Sequence, residues 1–340
     1  SYNINYLFEV YILKILIIRL SAIGDIFHTF TILPDIRKVF KDVQIDWLVD
    51  DSFTNVAKLS PLIDNVISIP LKKWKKDKLS FLSNLRQFKK NLPKTNYDYI
   101  IDTQGLIKTS LIAKYLFNGN IYGLDSKSAR ESIASCFYDY KFSVNQNNVA
   151  VIRLRGLIAK IFNLKHYLSQ FEFMANSSPC SINIIKPFVM FLHGTSKDDK
   201  KWSLDNWIKL SIWLIENTDK NIIITYSNEA EYLFTQQLSN KLRSSRLQIL
   251  DKLPFLELVD VVQMADFVVG VDTGFTHLAN LLHKPTIAIY QASNPNYVGM
   301  LESNLAKNIG GKHQQVAVNE VIGIFNKIYE GFYIERKNYD

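Results

Sequence analysis

The stretch Leu13-Lys-Ile-Leu-Ile-Ile-Arg-Leu-Ser-Ala-Ile-Gly-Asp-Ile-Phe-His28 decides how the rest of the chain is read. Its run of Ile and Leu is too short to span a membrane and reads as a strand buried on both faces, as in a parallel sheet. Ser21 and Gly24 end the run. From Asp25 onward Ile26, Phe27, Phe30, Ile32 and Leu33 recur at roughly helical spacing, so a carboxylate falls where strand becomes helix. In open α/β sheets that corner is where ligands bind. As a plain helix cap, Asp25 would satisfy free backbone N–H groups and suit the positive helix end. As a site residue it would share a crevice with His28, three residues on along the same face, and with Arg19, which closes the strand. The stretch lacks the G-x-G-x-x-G spacing that lets a backbone approach a pyrophosphate, so no dinucleotide site is expected in this half.

The same alternation continues outward. Residues 43–49, 65–69 and 97–102 read as strands, and 53–59, 80–91 and 106–115 as helices. Asp102-Thr103-Gln104-Gly105 ends one of these strands on the carboxyl edge of the sheet. Arg130 and Glu131 read as a helix start, either a surface salt-bridge region or, with Lys127, a contact for an acidic substrate. The turn-rich, aperiodic stretch 166–184 marks a junction, with one domain over 1–175 and another over 176–340. Strands then restart at 188–193, 221–226, 267–271 and 286–290, with helices at 204–217, 230–242 and, last, 319–329. A second parallel sheet is expected.

A chain of 340 residues, 47% of them apolar, fits two cores of ordinary size. Cys136 and Cys180 lie in unrelated contexts without C-x-x-C spacing, which suits a reducing compartment and excludes a cysteine zinc site. Glu9 and Lys14 interrupt the apolar N-terminal segment and no cleavage site follows, so a soluble, cytoplasmic protein is expected. The net charge is +8, and five lysines crowd into Pro70 to Lys78. Such a run reads as a solvated surface or as a landing site for an anionic partner, with Trp74 as an interfacial aromatic.

Two motifs in the second half carry chemistry. Asp272-Thr273-Gly274-Phe275-Thr276-His277 follows a strand and opens a helix; its first-turn N–H groups are a recipe for holding phosphate, or are simply capped by Asp272 or Thr273. His193-Gly194-Thr195-Ser196-Lys197-Asp198-Asp199-Lys200-Lys201-Trp202 follows another strand. It is a lysine-rich surface loop, or else Thr195 and Ser196 donate to phosphate oxygens while Lys200 or Lys201 neutralises a departing diphosphate.

Six segments together make the chain resemble the bacterial lipopolysaccharide heptosyltransferases that use ADP-heptose, from Lys14 to about Ile328. They are Ser-Ala-Ile-Gly-Asp-Ile-Phe-His at 21–28, Lys-Lys-Trp-Lys-Lys at 72–76, Asp-Thr-Gln-Gly-Leu-Ile-Lys at 102–108, Ser-Ala-Arg-Glu at 128–131, Asp-Asp-Lys-Lys-Trp at 198–202 and Val-Asp-Thr-Gly-Phe-Thr-His-Leu at 271–278. The basic run around Trp74 and the Ala-Arg-Glu segment favour the branch that glycosylates Kdo over its sister, heptosyltransferase II, which glycosylates heptose. The resemblance implies an α/β chain of GT-B fold, two Rossmann-like β/α/β domains facing across a cleft. Residues 1–175 would bind the acceptor and 176–340 the ADP-heptose, the final helix packing back toward the first domain.

It further implies an inverting, metal-independent glycosyltransferase with no cofactor, and the sequence holds no Asp-x-Asp pair. The donor would be ADP-L-glycero-D-manno-heptose and the acceptor an anionic glycolipid, Kdo2-lipid A, at the inner leaflet. The protein would be a monomer, peripheral on the cytoplasmic membrane, with no nucleic-acid partner. Asp25 becomes the general base and Lys200 the group that stabilises leaving ADP. Thr195, Ser196, Asp272, Thr273, Gly274 and His277 hold the donor, with Glu231, or Glu229 beside it, on the ribose. Ser21, His28, Lys72, Lys73, Lys75, Lys76, Gln104 and Arg130 fall to the acceptor. The chain departs from the family where arginines are common in the basic run, having only lysines. It departs again after residue 290, reading Gln291-Ala292-Ser293-Asn294-Pro295 for Gly-Pro-Thr-Asp-Pro. Two further readings stand beside transfer: a nucleotide-sugar epimerase of the same shape, and a non-catalytic module docking on anionic lipid through the lysine run.

Overall fold

The computed structural model describes residues 11–76, 80–165, 173, 175, 182–195 and 197–337. The first half runs β1 (Leu13–Ile18), α1 (Ile23–Phe30), α2 (Leu33–Val39), β2 (Val43–Asp50), α3 (Thr54–Ala57), β3 (Asn65–Ile69), α4 (Leu71–Trp74), α5 (Phe81–Asn91), β4 (Asn96–Asp102), α6 (Ile107–Leu116), β5 (Asn118–Leu124), β6 (Tyr140–Phe142) and α7 (Ala150–Ile161). The second runs β7 (Phe188–Leu192), α8 (Leu204–Asn217), β8 (Asn221–Ile224), α9 (Glu229–Leu242), β9 (Leu247–Ile249), α10 (Phe255–Met264), β10 (Phe267–Val271), α11 (Gly274–Leu281), β11 (Thr286–Tyr290), α12 (Pro295–Val298), β12 (Ala306–Gly310) and α13 (Val318–Lys337).

The strands form two parallel sheets, ordered β3-β2-β1-β4-β5-β6 and β12-β11-β10-β7-β8-β9. Counted from its own first strand, the second sheet has the order of the first. In each, the chain winds outward in both directions from one central pair, β1 beside β4 and β7 beside β10. Those pairs are the topological switch points, and their carboxyl ends are where a doubly wound sheet leaves room for a ligand. Ile18 lies beside Asp102 in the first pair and Leu192 beside Gly270 in the second, which brings the motif-bearing loops together.

The contacts divide the chain into two compact units. The first contains β1 and Ile32–Val144, and the second contains Ser21–Thr31 and Asn145–Gly156 together with the chain from β7 onward. Helix α1, which carries Asp25 and His28, therefore packs with the second unit although it follows the first strand of the first.

The first core gathers Leu16, Ile18, Leu48, Ile100, Ile112 and Ile121. The second gathers Phe191, Trp202, Trp207, Val269 and Phe267. Full burial of each such side chain contributes roughly 1.5–3 kcal/mol. Helix α13 adds Val321, Phe325 and Ile328 to the second core, with Trp213 edge-on to Phe325.

Several element ends differ from the sequence reading. Helix α1 begins at Ile23 with Ala22 at its N-cap, so Asp25 sits in the first turn and does not cap it. Asp50 accepts from Ser52 N and Oγ and starts a short turn at Asp51–Phe53 ahead of α3, which shortens the helix expected at 53–59. Glu131 stands at the N-cap position of a 3-10 segment, Ser132–Phe137, without a side-chain cap, where an α-helix start was expected at Arg130. Among the described residues no helix is long and apolar enough to cross a membrane.

Candidate active site

At the first switch point the residues mostly bind one another. Asp102 is fully buried and accepts from Gln104 N (2.9 Å), Gly105 N (3.2 Å), Thr109 Oγ1 (2.7 Å) and Tyr138 OH (2.7 Å). Burial pushes its carboxyl above the ordinary range, with those four bonds pulling the other way. Gln104 Oε1 accepts the Leu20 amide at 2.8 Å, and the Arg19 guanidinium donates to the Thr103 carbonyl. Two candidates for ligand contact, Gln104 and Arg19, thus lock the ends of β1 and β4. Ser21, just beyond, is half-buried.

The lysine run divides by function. Trp74 is no exposed anchor: its indole packs edge-on against Phe88 (5.7 Å) and Phe81 (6.4 Å), pinning α4 to the first core. Lys73 pairs with Asp51 at 2.6 Å and Lys72 lies over the Phe53 ring at 4.4 Å. Lys75, Lys76 and Arg130 are exposed. Lys108, which the sequence reading did not assign, belongs with them. Burial first, then the Lys75 charge and, more weakly, Arg130, lower its ammonium pKa, while Asp50 and Glu131 oppose this. The signal lay in the lysine that opens α6 after Asp102-Thr103-Gln104-Gly105. Glu131 Oε2 accepts Ile107 N at 2.7 Å and thereby fixes the start of that helix.

At the second switch point the polar groups converge on Asp272. Lys200 Nζ lies 2.7 Å from Asp272 Oδ2, Ser293 Oγ donates to the same oxygen, and His277 Nε2 lies 3.7 Å from Oδ1. Thr195 Oγ1 donates to the Asp272 carbonyl at 3.4 Å. Burial alone would raise the Asp272 carboxyl, but the neighbouring His277 and the hydrogen bonds from Lys200 and Ser293 outweigh it and hold the group well below the ordinary carboxylate range. Lys200 is held in reach because Trp202, two residues on, is buried against Trp207 and donates from Nε1 to the Val316 carbonyl at 2.9 Å. Thr273 is the N-cap of α11, and no side chain caps that helix, which leaves first-turn amides for an anion. Ser293 comes from the loop in which the chain departs from the family pattern. Ser196 lies outside the described residues.

Glu231 and Glu229 part company here. Glu229 is exposed, whereas Glu231 is half-buried at the start of α9, its Oε2 accepting Ser227 N and Oγ, both at 2.7 Å. Its carboxylate also lies over Gly194 at the end of β7, where an added Cβ would stand 2.6 Å from Oε1. Beside it His193 is 6% exposed and stacks on Phe234 at 4.5 Å. Burial lowers His193 to about 4, the Glu231 charge only partly offsetting it. Hence the unfolded chain takes up a proton near pH 6.5 and the folded one does not until about 4. Stability is full above pH 6.5 and drains by on the order of 3 kcal/mol as the pH falls to 4. Denaturant titrations across that range should show a slope that His193→Phe, which keeps the stack, removes.

Helix α1 completes the site within the second unit. Asp25 is half-buried in its first turn, and His28 Nε2 meets His277 Nδ1 at 3.0 Å. His28, a candidate for the acceptor, is 6% exposed and engaged with His277 in the turn after β10. The structure thus brings together Asp272, Lys200, Thr195 and His277, joined by His28 and Ser293. Among the described residues no group of three or more His, Cys, Asp or Glu is placed to hold a metal ion.

The chain aligns with the solved E. coli heptosyltransferase WaaC with ADP at a TM-score of 0.79 and 27% identity, covering 93% of this chain and all of that one. The fold is therefore GT-B, and the chain is an enzyme of the glycosyltransferase class. The structure of E. coli ADP-heptose LPS heptosyltransferase II shares the fold, at a TM-score of 0.71 and 17% identity, covering 93% of this chain and 98% of that one. Residues 85–322 match glycosyltransferase family 9 (heptosyltransferase). Lipopolysaccharide heptosyltransferase 1 of Salmonella typhimurium is 30% identical, covering 93% of this chain and 100% of its own length. Its counterpart in Escherichia coli K12 is 29% identical over 84% of this chain and 90% of its own. The chain belongs to glycosyltransferase family 9, the heptosyltransferases.

Proposed function

We propose that the chain transfers L-glycero-D-manno-heptose from ADP-heptose to Kdo of Kdo2-lipid A in lipopolysaccharide inner-core biosynthesis, with inversion at the anomeric carbon and without a metal. The observation that carries this reading is that the Lys200–Asp272 pair, the uncapped start of α11 and the helix bearing Asp25 all lie in one compact unit. The names of the relatives support the reaction, and structures of WaaC with ADP and with ADP-2-deoxy-2-fluoro heptose support the donor.

In this reading the acceptor hydroxyl oxygen attacks the anomeric carbon from the face opposite the diphosphate. Its proton passes to the Asp25 carboxylate. The bond from the anomeric carbon to the phosphate oxygen breaks, and ADP leaves with the electron pair. Lys200 and the amides of Thr273 and Gly274 stabilise the charge that builds on the diphosphate. Thr195 contacts the diphosphate, as does Ser196; Asp272 and His277 hold the turn; Glu231 takes the ribose hydroxyls. The carboxylates and phosphates of the acceptor meet Lys75, Lys76, Lys108 and Arg130, and Ser21, Lys72, Lys73 and Gln104 are assigned to the acceptor as well. The exposed lysines suit a monomer working on the inner face of the cytoplasmic membrane.

Product analysis tests this. Incubated with ADP-heptose and deacylated Kdo2-lipid A, the enzyme should add a single heptose, of inverted anomeric configuration, with EDTA present. Without acceptor the nucleotide sugar should be recovered unchanged; its conversion to an epimer would refute transfer. Binding to anionic lipid without sugar transfer would favour the docking module.

A further inference from the structure

Helices α1 and α11 touch through glycine. A Cβ on Gly274 would fall 2.6 Å from Ile23 Cγ2 and 3.3 Å from the Gly24 amide nitrogen, and one on Gly24 would fall 3.2 Å from His277 Cδ2. Backbone thus meets backbone at the start of both helices, which sets their separation. What sets their rotation is one polar contact further along. His28 and His277, 6% and 7% exposed, meet edge-on with ring centroids 4.4 Å apart and Nε2 to Nδ1 at 3.0 Å.

A bond between two ring nitrogens holds one proton, so either His28 donates or His277 does. If His28 Nε2–H donates, His277 Nδ1 is the acceptor and the His277 proton lies on Nε2, facing the Asp272 carboxylate 3.7 Å away. If neutral His277 donated from Nδ1, a bare Nε2 lone pair would face that carboxylate. The first arrangement turns the His277 proton toward the anion and the second sets lone pair against it. The contact therefore orders a chain from His28 through His277 to Asp272, and so to Lys200 and Ser293 on its other oxygen.

We propose that His28 is a positioning residue for sugar transfer, which through its bond to His277 fixes the tautomer facing Asp272 and sets the rotation of α1 that aims Asp25 at the donor. This rests on the assignment of Asp25 as base in the proposed function. Asp25 lies three residues before His28 on one helical face, so a small rotation about the α1 axis displaces both. A reacting group misplaced by about 1 Å costs on the order of 100-fold in rate. The loss falls on turnover, because His28 lies between the helices and the donor contacts assigned to Lys200, Thr273 and Gly274 remain.

The test compares His28→Leu, which keeps apolar volume and removes the bond, with His28→Gln, whose amide N–H replaces Nε2–H. His28→Leu should lose about 100-fold in kcat with the KM for ADP-heptose within about twofold of wild type. His28→Gln should recover to within about tenfold of wild type, as expected of a restored donor. Equal losses in both variants, or a loss in KM alone, would overturn the proposal. A measurement on the wild type stands independent of folding in the variants: nitrogen-15 spectra of the imidazoles should show His277 protonated on Nε2 and bare on Nδ1, and the reverse would overturn it. Asp25→Asn run alongside separates the two ideas. If it is fully active, the assignment of Asp25 fails and the role of His28 fails with it; if it is inactive while His28→Leu turns over at the wild-type rate, only the role of His28 fails.

Discussion

Asp25→Asn should transfer heptose about 1,000-fold more slowly than the wild type while binding ADP as before. The amide has nearly the shape of the carboxylate, and Asp25 is half-buried in the first turn of α1, so the substitution neither empties a core nor removes a cap. What it removes is the proton acceptor of the proposed mechanism. An attacking hydroxyl that keeps its proton must form an oxonium on the way to product, and a positioned base typically contributes 100- to 10,000-fold. ADP affinity is unaffected because the groups assigned to the diphosphate, Lys200 and the first amides of α11, belong to other segments. Initial rates and calorimetric titration of ADP on the same preparation check both halves of the expectation. Unchanged kcat would remove Asp25 from the chemistry.

The second large effect belongs to Asp272→Ala. The side chains of Asp272 and Lys200 are 10% and 24% exposed, and the carboxylate gathers Lys200, Ser293 and His277. Removing one partner from such a pair leaves a poorly solvated charge and costs about 3–5 kcal/mol. Part of that loss is stability, read by denaturant unfolding of the second unit. The rest is order in the turn proposed to receive the diphosphate, read as at least a 100-fold loss of ADP affinity, since about 2.7 kcal/mol corresponds to that factor. The pH dependence has a definite sign. Because the Asp272 carboxyl titrates below its ordinary range, its contribution is complete above that range and disappears as the pH falls through the lowered value. Asp272→Asn should flatten this acid limb, while Ser293→Ala, which removes a single donor, should shift it only slightly.

Both sheets were legible because their inner strands are largely apolar runs: β7, β10 and β11 bury every residue and β1 its last four. Of the outer strands, β3 was read at 65–69, whereas β5, β6, β9 and β12 were not. β6 and β9 have three residues each, and β5 carries Gly119 and Gly123 where an alternating pattern would be sought. The strand-end loops were equally legible, since Asp25, Lys200 and Asp272 stand where a doubly wound sheet exposes them. How polar side chains are used was less so. Gln104 has the chemistry of a ligand contact, but its oxygen takes an amide 84 residues away in sequence. His28 reads as a neighbour of Asp25 facing the acceptor, yet it meets a histidine 249 residues further on. Ser293 sat in a loop noted only as a departure, and Trp74 read as exposed among lysines because the phenylalanines that cover it lie in the next helix. No local pattern announces such contacts; they exist only once the sheets have placed their ends.

The measurement that bears most directly on the account is ADP release by the purified enzyme supplied with ADP-heptose and offered deacylated Kdo2-lipid A, the same core already carrying heptose, or no acceptor. The account predicts ADP formed in step with heptosylated Kdo, in the first arm alone and at the same rate in EDTA. Release that ignores the acceptor, or that occurs only with the heptosylated core, would contradict it.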